Sequence, residues 1–467
     1  MKSNKANKYI SNKEYKFLME NLDEPRTPIF YGLPKIHKSF DKIPPFRPIV
    51  SGYKSCTANL SEYLDSFLKY QAQHCKSFIR DTKHFLIKIN SLKNIPKNCI
   101  LVTMDVSSLY TNIDQDEGAE ACFQKLESRK NKTVPSSFLK KLILVVLQSN
   151  VFRFGTSFYS QIKGTAMGTP MAPNYANIFM DIFEQNLVEA YYNKTGIRPL
   201  IWLRYIDDIF FIWTHGDESL NQFIEFAQTY SDNQNMKSNM KFEVNQSTEK
   251  VNFLDITIIL KDGVLTTTVY SKPTDSHLYL NVNSCHPEHV IKNIPKGQLL
   301  RLRRICSNTT DFIHQCNTYI NYFINGGYNK SRLESLAKEI IKIDRNQLLQ
   351  NTEKSNPDSQ TIFTCTYHPQ LTKLPHILRN HYHILQNYSL LSKIFTEKPM
   401  VAFRKKKTIG NHIVRSDITP HQITLSNPSL PCGKCKKTCH LINQSTKLTN
   451  SKNKRSVDIT SGGSCKT

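Results

Sequence analysis

Two adjacent acids, Asp207 and Asp208, sit at the centre of a largely apolar stretch running from Trp202 to Trp213. Its flanks, Tyr205-Ile206 and Ile209-Phe210-Phe211-Ile212-Trp213, are rich in residues that favour strands. The pattern predicts strand, tight turn, strand, with both acids at the turn. Two ionised carboxylates held together repel each other and are costly to bury unless a cation neutralises them. A divalent metal would do so. The plain alternative is an acidic turn between two core strands, which is common. The choice rests on whether the other parts of such a centre follow in order.

Charge narrows the partners. The 467 residues carry 62 Lys and Arg against 38 Asp and Glu, a net +24, which points to a polyanion. The excess is uneven, with thirteen Lys or Arg against two acids from Val401 to Thr467. No apolar run approaches a transmembrane helix, so no membrane partner is expected. The first residues lack the apolar stretch of a secretory signal, so the chain is expected inside the cell. Its 12 cysteines are then expected mostly as reduced thiols.

Along the chain, 31–38 reads as a loop or irregular strand, Phe46 to Gly52 as a short strand, and 57–90 as helical. Cys99 to Asp105 is a buried strand ending in an acid. Asp116 to Ser149 is helical with a break near Pro135, and Phe152 to Tyr159 a hairpin around Gly155. Gly164 to Pro173 is a Gly/Pro loop leading into an amphipathic helix, Asn174 to Tyr192. Further strands follow over Lys241 to Tyr270, turning at Asp262-Gly263. Residues 285–350 are mainly helical and basic, and from about 351 the order weakens. Strands alternating with helices, then a basic helical section, indicate an α+β core followed by a helical module.

Nucleotidyl transfer needs carboxylates brought together from separate strands to hold two metal ions. Asp105 ends one buried strand, and Asp207 and Asp208 lie about a hundred residues later. Adjacent strands in one sheet would join all three. With these parts in view a resemblance emerges. Tyr205-Ile206-Asp207-Asp208 and Met104 to Ile113 resemble the two carboxylate motifs of reverse transcriptases. Gly164 to Pro173 is similar to their template- and nucleotide-contacting loop. Val251 to Ile256 resembles a following palm strand, and Tyr31 to Lys38 with Arg47-Pro48-Ile49 resembles their fingers motifs. Together with Ser284 to His289 and Ile294 to Gln298, the set resembles the Penelope-like retroelements, whose polymerases are relatives of telomerase. It spans roughly residues 28–345.

The resemblance implies a right-hand polymerase: fingers, a palm with an antiparallel sheet, and a helical thumb, plus a basic, cysteine-bearing C-terminal segment. The expected division is an N-terminal extension (1–27), fingers and palm (28–275), thumb (276–350), and linker with the basic segment (351–467). The implied activity is RNA-directed DNA polymerase, extending a DNA 3′-hydroxyl with dNTPs on an RNA template. Two Mg²⁺ ions would be held by Asp105 and Asp207, supported by Asp208 and the Val106 carbonyl, with Mn²⁺ able to substitute. Tyr110 would be the aromatic gate against a 2′-hydroxyl, core packing being its alternative role. Arg47 and Lys35 would hold the triphosphate, with Lys38 competing for Lys35's part. Many relatives place Gln where this chain has Met167, so nucleotide contact there would be apolar or come from the Gly168 backbone. Gln298, Arg301, Arg303 and Arg304 would grip the template–primer duplex by its phosphates. Asp255 is expected to order a strand rather than to bind metal.

Cys432, Cys435, Cys439 and His440 place four soft ligands in nine residues, with a Cys-x2-Cys spacing that suits Zn²⁺ and with the distant Cys465 an alternative to His440 as fourth ligand; reduced thiols in a tail are the other reading. Penelope-like elements often carry a GIY-YIG endonuclease after such a segment, and none follows here. The chain alone is therefore expected to polymerise without nicking DNA. The resemblance to a mobile element's enzyme implies the nucleus. Two competing readings remain: a catalytically inactive, truncated retroelement-derived nucleic-acid-binding protein, and an RNA-directed RNA polymerase.

Overall fold

In the computed structural model the described residues are 9–20, 22–35, 44–92, 95–350, 361–406, 408, 447–449 and 456–458. They fall into two units, 1–406 and 407–467. Within the second, Lys447–Thr449 pairs antiparallel with Ser456–Asp458. The zinc-spaced Cys432, Cys435, Cys439 and His440 lie outside the described residues, as does Lys38.

The first unit opens with α1 (Asn12–Met19), then β1 (Ile29–Pro34), β2 (Phe46–Ser51), α2 (Ala58–Gln73), α3 (Thr82–Asn90) and β3 (Ile100–Val106). There follow α4 (Leu109–Asn112), α5 (Gln115–Glu127), α6 (Ser136–Gln148), β4 (Val151–Phe154), β5 (Ser157–Ser160) and α7 (Ala172–Thr195). The acidic hairpin is β6 (Ile201–Tyr205) and β7 (Asp208–Trp213), succeeded by α8 (Asp217–Asn233) and β8 (Phe242–Ser247). A three-stranded sheet, β9 (Lys250–Phe253), β10 (Ile256–Lys261) and β11 (Val264–Val269), precedes helices α9 (Glu288–Ile305), α10 (Thr309–Asn325), α11 (Lys330–Ile340) and α12 (Arg345–Leu349).

The palm-like sheet has strand order β6-β7-β3-β8, antiparallel throughout. Both of its faces are covered, which explains the nearly continuous apolar runs in β3 and β7. Ile100, Val102, Met104 and Val106 enter one core with Ile209, Phe211 and Trp213, beneath α2 and α5–α8. Leu101, Leu203, Phe210 and Ile212 enter a second core, shared with β9–β11 and α9–α11. Each fully buried side chain of this size contributes about 1.5–3 kcal/mol. The flanks of the hairpin, rather than its acids, therefore hold it in the sheet. A second sheet, β2-β1-β4-β5, forms the fingers-like part. Pro48 fits there because β2 is an edge strand, where a missing N–H costs least.

Helix α7 enters the core over most of its length. It begins with a proline in its first turn and ends at Gly196 in the left-handed conformation, φ 72°. Three elements depart from expectation. Helix α1, within the polar N-terminal stretch, is set by a Ser11–Glu14 capping box and buries Leu18. Helix α8 has no counterpart among the elements anticipated above. Past residue 361 a folded piece appears where weak order was expected. Strand β12 (Ile362–Thr366) pairs parallel with β13 (Met400–Arg404), and α13 (Leu374–Asn380), α14 (Tyr382–Gln386) and α15 (Ser389–Ile394) form the crossover. Its short, polar-interrupted helices carry little periodicity in sequence.

Candidate nucleotidyl-transfer site

The register of the palm-like sheet sets the site. Asp105 on β3 lies directly opposite Asp208 on β7. Directly opposed residues of antiparallel strands point to the same face, so these two carboxylates share one surface. Tyr205 pairs with Asp208, leaving Ile206 and Asp207 as the two turn residues. The Val106 amide donates to the Asp207 carbonyl at 3.0 Å, tying the turn to the end of β3. The three acids expected to cooperate thus come from one sheet edge.

Their electrostatics are unbalanced. The Asp208 carboxyl is raised from an ordinary 3.8 to about 6 by burial and then by the negative charges of Asp207 and Asp105, with Lys272 opposing. A cation placed there would favour the ionised form, and carboxylate oxygens are the donors a hard divalent ion takes. Among the described residues, no group of three or more His, Cys, Asp or Glu side chains is set to hold a metal ion. A fourth acid, Glu243 on β8, is the cross-strand partner of Asp105 on its other side. Sequence reasoning missed it. The only signal was an acid one residue into the strand after Lys241, with no motif to mark it.

The surroundings converge on the same edge. Tyr110, on the one-turn helix α4, is half-buried, and its hydroxyl is pushed up to about 12 by burial and then by the nearby Asp207 and Tyr205, with Arg47 opposing. Asp207 and Arg47 therefore both lie within electrostatic reach of Tyr110. The Gly/Pro loop wraps this helix, and the Thr165 amide donates to the Tyr110 carbonyl at 2.7 Å. A Cβ on Gly164, whose φ is +74°, would meet that carbonyl at 2.5 Å. The loop also joins β2, because the Val50 amide donates to the Met167 carbonyl at 2.9 Å. Gly168, φ +127°, approaches so closely that a Cβ would lie 2.3 Å from the Val50 carbonyl oxygen. Met167 is half-buried and Gly168 exposed. Arg47 is exposed on β2 opposite Leu33, and Lys35 lies just past β1, its amide donating to the Pro45 carbonyl at 2.8 Å.

The expected thumb residues are more entangled. Arg301 on α9 grips one carboxylate oxygen of Asp255 through Nε at 2.9 Å and Nη2 at 2.6 Å, and reaches the Tyr319 hydroxyl at 3.4 Å. Asp255 also accepts from the Thr82 hydroxyl. This joins the β9–β10 turn to α9 and α3. Arg303 donates to the Ile343 carbonyl at 3.0 Å and lies over the Phe312 ring. The Arg304 carbonyl accepts from Arg345, and its own Nε is buried without a hydrogen-bond partner among the described residues. Gln298 lines a groove with Arg301, Lys272 and Tyr279. A phosphate reaching Arg301 would have to compete with Asp255.

Among the described residues no helix is long and apolar enough to cross a membrane. The family model for reverse transcriptase (RNA-dependent DNA polymerase) matches residues 36–258. A second model, animal helix-turn-helix domain, matches residues 278–338, which contain α9, α10 and most of α11. The two breaks around Ser307 and Gly326-Gly327 were its sequence signal. No curated protein matches the chain. Among solved structures, telomerase from Candida albicans with a fragment of telomeric RNA is similar at 10% identity, covering 81% of this chain and 67% of that one, TM-score 0.49. Apo telomerase from Candida tropicalis truncated from its C-terminal domain is similar at 11% identity, covering 54% of this chain and 59% of that one, TM-score 0.37. The RNA-dependent RNA polymerase of a human picobirnavirus is similar at 11% identity, covering 69% and 63%, TM-score 0.45. The chain thus spans about 59% of the length of the truncated telomerase. Residues 36–258, which carry the antiparallel sheet and its acidic turn, are a reverse-transcriptase-like domain.

Proposed function

We propose that the chain is an RNA-directed DNA polymerase of a retrotransposable element, of the Penelope-like kind, extending a DNA 3′-hydroxyl with dNTPs. The observation that carries this is the pairing of Asp105 with Asp208 across adjacent strands, with Asp207 in the turn beside them. Asp105, Asp207 and Asp208 would hold the divalent ions, with the Val106 carbonyl as a further oxygen. Bound there, Mg²⁺ supplies activation of the attacking hydroxyl and neutralisation of the departing pyrophosphate.

The chain's own groups do the rest. Arg47 offers a planar fork to phosphate oxygens, and Lys35 a mobile point charge beside it. Tyr110 stands next to the acids and narrows the space for a sugar 2′ substituent. The Gly168 backbone and Met167 close the floor under the base pair. Gln298, Arg303 and Arg304 would meet duplex phosphates from the helical part, and Arg301 would support it through Asp255. The nucleus follows as the place where an element's enzyme meets its DNA target.

A second reading has one observation in its favour: no three-ligand metal cluster forms among the described residues. On that reading the chain keeps its basic surface and binds nucleic acid without turnover. Extension of a DNA primer on an RNA template, with dNTPs and rNTPs in parallel, separates the readings. The proposal expects dNTP incorporation. Extension with rNTPs alone would replace it by an RNA-directed RNA polymerase. No extension by a folded chain that still binds the duplex would leave the binding-only protein.

A further inference from the structure

Directly behind the acidic turn lies a buried polar cluster to which the polymerase reading gives no role. Arg204, the residue before Tyr205, is fully buried. Its Nε donates to Glu184 Oε2 at 2.8 Å. Its Nη1 donates to Asn177 Oδ1 at 2.7 Å and to the Ile206 carbonyl at 3.1 Å, and its Nη2 to the Asn177 carbonyl at 3.0 Å. Four of the five guanidinium N–H donors are therefore used. Glu184 in turn accepts from the Ser77 hydroxyl and from Trp202 Nε1 at 3.1 Å. The Arg204 backbone is pinned as well. Its amide donates to the Ser77 carbonyl at 2.7 Å, and its carbonyl accepts from Ile79 at 2.8 Å.

The residue this cluster reaches is strained. Ile206 has φ 57°, and it is the sole β-branched residue with positive φ among the described residues. A left-handed first position in a two-residue hairpin turn normally takes glycine, and a β-branched residue there is a genuine outlier. Such strain persists only where surrounding structure over-determines it. The Arg204 Nη1 bond to the Ile206 carbonyl is the side-chain contact that holds this turn from behind, beside the Val106 amide on the Asp207 carbonyl. A buried ion pair is a poor way to gain stability, since well-packed apolar residues usually serve as well or better. Its use here fits a directional task.

We infer that Arg204, clamped by Glu184 and Asn177, is a positioning residue that holds the Ile206 turn in its strained form and so aims the Asp207 and Asp208 carboxylates at the divalent ions. This deepens the polymerase reading and rests on it. Residues that orient a metal's ligands typically change metal affinity or activity 10–100-fold when lost.

The test uses the full chain with Mn²⁺ as the probe, its binding read by electron paramagnetic resonance, and primer extension in parallel. Arg204→Lys keeps the charge but loses the fork, and should weaken Mn²⁺ binding about tenfold or more. Adding Ile206→Gly, which adopts positive φ without being held, should recover most of that loss. Because a lone buried Glu184 could unfold the chain, the charge-balanced pair Arg204→Met with Glu184→Gln provides a second background. It should show the same weakening and the same rescue by Ile206→Gly. Unchanged Mn²⁺ affinity in folded Arg204→Lys overturns the inference, as does a loss that Ile206→Gly leaves in place. A wild type that binds Mn²⁺ with this pattern yet extends no primer would sink the polymerase reading and leave the positioning role standing.

Discussion

The raised Asp208 carboxyl makes a prediction in which the sign is as informative as the size. In the folded chain the acid titrates near 6 rather than 3.8, because burial and the neighbouring Asp207 and Asp105 disfavour its charge. A carboxyl raised on folding contributes stability while it is protonated, fully below about pH 4, and that contribution is lost as pH rises through about 6. The difference corresponds to about 3 kcal/mol at full ionisation, and to about 2 kcal/mol once screening by solvent is allowed for. Asp208→Asn resembles the protonated acid. Without divalent metal, the variant should match wild type near pH 4 and become about 2 kcal/mol more stable by pH 7. Urea denaturation in EDTA, followed by tryptophan fluorescence from Trp202 and Trp213 in the same sheet, reads this directly. Mg²⁺ at pH 7 should stabilise wild type and narrow the gap, because an ion that binds only the native state adds to its stability. Parallel stability curves for the two proteins across this pH range would refute the argument. So would a variant less stable than wild type at pH 7 in EDTA.

Other consequences follow from the same geometry. Gly168→Ala places a Cβ 2.3 Å from a backbone carbonyl oxygen at φ +127°, and should cost more than about 2 kcal/mol in urea denaturation, with loss of activity following the loss of fold. Tyr110→Ala should leave dNTP incorporation measurable and raise rNTP incorporation relative to it, by about 10–200-fold if the ring's exclusion is worth what one methylene is worth in an apolar pocket. Asp255→Asn weakens the hold on Arg301, whose bonds to it span 2.6–2.9 Å, and should lower the thermal midpoint while leaving Mn²⁺ affinity at the acidic edge unchanged. Duplex binding should weaken steeply with salt, and Arg304→Ala should reduce the slope of log affinity against log salt by about one.

The acidic hairpin was legible because its signal is local and its meaning is period two: apolar strand, turn, apolar strand, with register fixed by the burial of both faces. Asp105 was legible for the same reason, as an acid ending a run that could only be a buried strand. What joins them is a pairing between strands a hundred residues apart; the chemistry asked for adjacent strands, and the register pairs Asp105 with Asp208. Arg204 was invisible by contrast. An arginine inside an apolar strand has no periodic signature, and its partners Glu184 and Asn177 lie on a helix whose amphipathic pattern hides which polar residues turn inward. Glu243 escaped for a related reason, since its significance is a register and not a motif. Arg301 read as a cation for duplex phosphates because helix charge patterns do not reveal that Asp255, 46 residues earlier, would be its neighbour. The β12–β13 piece lacked both long periodic helices and alternating strands, so composition alone made it resemble a linker.

The acids where β3 meets the β6–β7 turn are proposed to perform nucleotidyl transfer. Single-turnover extension of a DNA primer on an RNA template with Mg²⁺ and dNTPs, wild type beside Asp207→Ala, tests it most directly. The expected result is extension by wild type, abolished by EDTA and lost in the variant while duplex affinity is retained. Equal extension by both proteins would contradict it.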